Sequence, residues 1–147
     1  MDKLFPDEIV IETERFTIAQ DWEIPIPAFF IVSAKRSIRS ITDFTPEEAN
    51  EFMMLLVRVR LGMSDVLGIT DAYLFQNEDS AHGFHIWVFP RHAWMEKFGR
   101  KIESVRPIME YAKAHLRDKE TLRDVHDAAR EMSEYMRQAL YKRDEET

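Results

Sequence analysis

The segment Asn77 to His92, NEDSAHGFHIWVFPRH, concentrates the side chains of this sequence that can move protons, act as nucleophiles or bind a metal: three of the five histidines, with Ser80 and Arg91. A neutral imidazole offers one N–H and one lone pair and titrates near physiological pH. Because side chains alternate along a strand, Gly83, His85, Trp87 and Phe89 share one face, while Phe84, Ile86 and Val88 share the other and read as core. Trp87 can donate a hydrogen bond but does not titrate, so it can steady an oxygen or stack on a base and cannot act as a general acid. His82 is one residue out of register with His85 and points to the opposite face of an ideal strand. That geometry and the absence of cysteine weigh against a metal centre on His82, His85 and His92, which stays as an alternative. Taken singly, each candidate has a plain structural reading. A lone strand histidine is usually packed, Asp21 can cap the proline turn Ile24-Pro25-Ile26-Pro27, Lys35-Arg36 can be a solvated strand end, and Ser80 can bond its own backbone.

The elements that must position these residues are readable from pattern. RFTIAQD (Arg15 to Asp21) predicts a strand, followed by the proline turn and a second strand over Ala28 to Ala34, whose unbroken apolar run suits a central strand buried on both faces. Thr45-Pro46-Glu47-Glu48 predicts a helix start with Thr45 as N-cap, Pro46 in the first turn and Glu48 closing a capping box. That helix should run to about Leu67, with Phe52, Leu56, Val59, Met63 and Val66 as its apolar stripe and Gly68 as the left-handed residue past its end. Ala72 to Asn77 and Gly83 to Phe89 predict an antiparallel strand pair. The composition then shifts to charged helix formers, with helices expected over Val105 to Leu116 and Leu122 to Leu140. The second is striped by Leu122, Val125, Ala129, Met132, Met136 and Ala139.

On these residues the chain resembles the histidine-triad superfamily of nucleotide hydrolases and transferases. The family signature is His-x-His-x-His followed by two apolar residues and often Pro-Arg; counting back from Pro90-Arg91, its central histidine falls on His85. The order of elements over roughly Thr13 to His92 also matches. Asp21, six residues before Pro27, stands where the family has its ribose-binding Asp or Asn, and Lys35-Arg36 matches the basic pair ending the next strand. Ser80 falls on the phosphate-contacting Ser or Thr, and Asn77 on the asparagine ending the preceding strand, with a shorter loop between them. Two departures stand out. Gly83 replaces the first histidine, with His82 displaced by one, and Trp87 replaces the third.

The resemblance implies an α+β fold, an antiparallel sheet of about five strands with one long helix. It also implies a homodimer and an imidazole at His85 that attacks an α-phosphate to form a nucleotidyl-histidine. Asp21 would hold ribose, Ser80 and Asn77 phosphate or its surroundings, and Lys35 or Arg91 the charge. Trp87 would stand beside the ligand, and His82 or His92 would be auxiliary groups. The expected organisation is a nucleotide-binding domain over 1–104 and a two-helix extension over 105–147, packed on the domain or at a dimer interface. A dinucleoside polyphosphate or nucleoside phosphoramidate is the expected substrate. The alternative is a non-catalytic nucleotide-binding or interaction module with a degenerate triad. No cofactor is called for, although substrate phosphates could carry a divalent cation. A net charge of −7 disfavours a general nucleic-acid surface. The longest uncharged apolar run, Ile24 to Ala34, is too short and proline-broken to span a bilayer, and with no signal-peptide pattern the expected location is the cytoplasm.

Overall fold

A computed structural model describes residues 3–141. Residues 1–2 of the expected first domain and 142–147 of the expected extension lie outside the described residues. Five strands form one antiparallel sheet: β1 (Ile9–Glu12), β2 (Phe16–Gln20), β3 (Phe30–Ala34), β4 (Ala72–Phe75) and β5 (His85–Pro90), in the order β1-β2-β3-β5-β4. The α+β expectation is met. β3 is central, paired with β2 and β5, which explains its unbroken apolar run. Its first expected residues do not join it: Ala28 has φ +69, outside the β region, so pairing begins at Phe30. β1 carries no strong pattern of its own and is held as an edge strand against β2.

The long helix α1 (Pro46–Asp65) begins as its sequence predicts. Thr45 Oγ1 accepts from the Glu48 amide at 3.1 Å and Glu48 accepts from the Thr45 amide at 2.8 Å, a reciprocal cap of the kind worth about 1 kcal/mol. Glu48 is also gripped by Arg36, and the two together hold its carboxyl down to about 2. The helix buries Phe52, Leu56, Val59 and Met63, as expected, together with Leu55; Val66 lies beyond the last turn and is exposed. Gly68 has φ +69, the left-handed conformation expected after the helix.

The two C-terminal helices separate. α2 (Ile102–His115) lies on one face of the sheet and α3 (Lys119–Leu140) on the other, beside α1. The position expected for the boundary, 104/105, falls inside α2. Met132 and Met136 of α3 join Phe16, Val32 and Val88 in the larger core, and Ile108 and Ala112 of α2 join Phe29, Phe89 and Ile26 in the smaller one. Fully burying a Met or Ile side chain contributes about 1.5–3 kcal/mol, so both helices are stabilised mainly by the sheet faces they cover. Among the described residues no helix is long and apolar enough to cross a membrane.

Candidate functional site

A cleft of about 770 Å³ opens between α2, the turn that follows β2 and the turn that enters β5. Asp21, Asn77, Ser80, His82, His85 and Trp87, all singled out from sequence, line it.

The β5 entry is built locally. Ser80 Oγ accepts from the His82 amide at 3.1 Å, closing the turn, and the Phe84 amide donates to Ile38 O at 2.8 Å, tying the strand's start to the loop after β3. Between them Gly83 has φ +76, a conformation other residues rarely adopt. β5 therefore begins at His85 and not at Gly83. The same twist corrects the expectation that His82 and His85 point to opposite faces: both line the cleft, with ring centroids 6.4 Å apart, and His82 lies edge-on to Trp22 at 5.8 Å.

Gly83 also orients His85. Its carbonyl oxygen is 3.0 Å from His85 Nδ1. A carbonyl only accepts, so Nδ1 carries the hydrogen and the lone pair is left on Nε2. On the other side His85 pairs with Ser33 of β3. Trp87, two residues along the same face, is half-buried against Phe29 at 5.5 Å, so it serves both the cleft and the smaller core.

Asp21 is 5% exposed. Its Oδ2 accepts from the amides of Ile24 at 2.7 Å and Glu23 at 3.1 Å, so the carboxylate does cap the turn. Burial pushes its pKa up, and the two amides pull against that. Among the described residues Oδ1 takes no hydrogen bond, leaving one oxygen for a ligand. Ser80 is similar: its oxygen is used by the turn, and its O–H remains available to donate.

Lys35, Arg91 and His92 do not reach the cleft. The Lys35 ammonium leans across the sheet toward β1, 3.9 Å from Glu12. Arg91 follows the last residue of β5, about 20 Å along the strand from His85 at a rise near 3.3 Å per residue. It is buried there, donating to Ser104 Oγ at 3.2 Å and Gly99 O at 2.9 Å. His92 donates through Nε2 to Pro27 O at 2.6 Å, and burial lowers its pKa. Among the described residues no three histidine, aspartate or glutamate side chains gather in a way that could hold a metal.

Charge enters the cleft from a different element. Arg106 and Lys113 of α2 line it, with Met109 between them, and Lys113 is 3.4 Å from Glu23. Sequence reading missed this group because α2 reads as a solvated charged helix. Its one clue was an apolar stripe (Val105, Ile108, Ala112) flanked on one side by both basic residues.

No protein-family model and no curated protein matches the sequence. Solved structures do match its fold. The chain superposes on a hypothetical histidine triad nucleotide-binding protein from Sulfolobus tokodaii with a TM-score of 0.60 at 16% identity, covering 90% of this chain and 87% of that one. A Plasmodium falciparum diadenosine triphosphate hydrolase, solved with Cyclomarin A, gives a TM-score of 0.53 at 18% identity over 81% and 80% of the two chains. The C. elegans NitFhit protein gives 0.53 at 19% identity over 72% of this chain; the match spans only 26% of NitFhit. The fold is that of the histidine-triad proteins.

Proposed function

We propose that this chain is a nucleotide hydrolase or nucleotidyl transferase in which His85 attacks the α-phosphorus of a dinucleoside polyphosphate or nucleoside phosphoramidate. The observation that carries the reading is the 3.0 Å contact between His85 Nδ1 and Gly83 O, which leaves Nε2 as the basic nitrogen of a residue lining the cleft. In the first step the Nε2 lone pair forms an N–P bond, and the bond from phosphorus to the leaving group breaks with its electron pair. The hydrogen stays on Nδ1, donated to the Gly83 carbonyl oxygen, which stabilises the positive charge that develops on the ring. Water or another hydroxyl then attacks phosphorus, loses its proton to solvent, and the N–P bond returns its electrons to His85. Asp21 Oδ1 would accept a ribose hydroxyl, Ser80 would donate to a phosphate oxygen, and Asn77 and Trp87 would bound the ligand. His82 is the second imidazole lining the cleft and the candidate proton donor for a basic leaving group. The likeness in fold to a diadenosine triphosphate hydrolase supports the nucleotide class.

The reading extends to a homodimer in the cytoplasm. Met53, Val57 and Leu61 are exposed at helical spacing on α1, and Leu74 is exposed on β4, the edge strand opposite β1; together they favour a second copy on this side. A divalent cation would enter, if at all, on the substrate phosphates.

One observation favours a second reading, a binding module without turnover. Trp87 stands where a titratable group would help and is committed to packing against Phe29. Incubation with diadenosine triphosphate and with adenosine phosphoramidate separates the two. Mononucleotide release supports the hydrolase, and tight binding with no product supports the module.

A further inference from the structure

We infer that Arg106 of α2 binds the phosphate of the departing group and biases the cleft toward phosphoanhydrides over phosphoramidates, an inference that rests on the reading of His85 as nucleophile and gives it a leaving-group preference.

The placement follows from how α2 is anchored. Its start is tied to β4, where the Lys101 amide donates to Tyr73 Oη at 2.8 Å, and its end reaches the turn after β2, where Lys113 meets Glu23. The helix thus crosses the face of the sheet that carries His85, running from the β4 side toward Asp21. Arg106 and Lys113 lie seven residues apart, two turns on the same face. Arg106 falls toward the β4 end, which carries Asn77, and Lys113 toward the ribose end, which carries Asp21.

Arg106 and Lys113 are the arginine and lysine that line the cleft, and the arginines of the surrounding segments are held elsewhere. Arg91 is buried in its bonds to Ser104 and Gly99, Arg100 bridges Glu96 and Asp71, Lys113 opposes Glu23, and Arg39 reaches the Glu78 carbonyl at 3.4 Å. Arg106 is exposed, lines the cleft, and makes no hydrogen bond or ion pair among the described residues. Asp21, Glu23 and Asp79 also line the cleft, so a polyphosphate needs a cation there, and Arg106 is the lining cation without a counter-charge of its own among the described residues.

The chemistry makes the preference one-sided. When His85 Nε2 displaces a nucleoside polyphosphate, the P–O bond breaks onto the bridging oxygen, and negative charge accumulates on a phosphate that leaves without a proton. A guanidinium stabilises that charge through paired N–H donors. When the leaving group is an amine, the breaking P–N bond needs a proton, and an arginine does not give one up. Arg106 therefore assists the first reaction and not the second.

Calorimetric binding of a methylene-bridged diadenosine tetraphosphate and of AMP to the full chain tests the contact without relying on turnover. Arg106→Gln should weaken the dinucleotide about 30-fold, the loss expected for a charge-assisted phosphate contact, and AMP less than about threefold. Arg106→Lys should recover part of the loss. An unchanged dinucleotide affinity, or equal weakening of both ligands, overturns the inference. In turnover, Arg106→Gln should lower kcat/KM for diadenosine triphosphate and spare adenosine phosphoramidate; equal losses on both overturn it. A wild-type protein that binds both ligands and cleaves neither substrate overturns the hydrolase reading alone, and the binding contrast still decides Arg106. If neither ligand binds, both fail.

Discussion

His85 Nδ1 lies 3.0 Å from the carbonyl oxygen of Gly83, and Gly83 itself stands at φ +76. Backbone conformation at one residue thus sets the tautomer of the imidazole two positions later. A side chain at position 83 meets the left-handed penalty of about 1–2 kcal/mol, and its Cβ would sit 3.4 Å from Ile38 O. Gly83→Ala should lower thermal stability by about that amount and, at temperatures where the variant is folded, reduce kcat by about tenfold or more as His85 loses its alignment. Turnover equal to wild type per folded molecule would show that this carbonyl does not orient His85.

Asp21 is asked to do two things, and two substitutions separate them. Asp21→Ala removes the acceptor for the Glu23 and Ile24 amides in a buried turn and should cost about 1–3 kcal/mol in denaturant unfolding. Asp21→Asn keeps a neutral acceptor, so it should fold nearly as well. It should nevertheless narrow the difference in affinity between a ribonucleotide and its 2′,3′-dideoxy analogue. Unchanged discrimination would leave Asp21 as a turn cap alone.

What could be read in advance was mostly local. Thr45, Pro46 and Glu48 act within one turn of helix, and Gly68 within three residues of its end, so their sequence signal is nearly complete. The core face of Phe84 and Val88 follows from alternation. What escaped depended on tertiary placement. β1 is four residues long and is a strand only because β2 pairs with it. The return of His82 to the cleft depends on the φ of Gly83, which replaces a histidine of the family pattern and so read only as a loss. Arg91 matched that pattern by spacing, yet it follows a strand whose far end is remote from His85. Arg106 was invisible because nothing local says that α2 and α3, adjacent in sequence, cover opposite faces of the sheet.

His92 gives a pH dependence of stability. Burial lowers its folded pKa below the ordinary 6.5, although the bond to Pro27 O opposes this. The unfolded chain therefore takes up the proton first. The contribution is fully present above about pH 6.5 and is lost as the pH falls from there through the folded value. Denaturation midpoints should decline across this range, and His92→Gln should flatten that part of the profile. An unchanged slope in the variant would assign the decline to other groups.

Gly62 marks the crossing of α1 and α3. A Cβ there would stand 2.7 Å from the Tyr135 ring and 2.9 Å from Met132 Cε. Alanine is the better helix former by about 1 kcal/mol, but crowding should outweigh that gain, so Gly62→Ala should destabilise by about 1–2 kcal/mol. Pairing it with Tyr135→Leu should recover much of the loss in chemical denaturation. A stabilised Gly62→Ala would mean that the two helices part easily.

The proposed mechanism requires that His85 form a bond to phosphorus. The direct measurement is an alkaline quench of the protein during turnover of diadenosine triphosphate, followed by intact-mass and peptide mass spectrometry. The expected result is a nucleotidyl adduct on the peptide carrying His85, labile to acid, absent from His85→Ala, and formed and lost at rates consistent with mononucleotide release. Mononucleotide release by the wild type that persists at the same rate in His85→Ala, with no adduct in either protein, would contradict it.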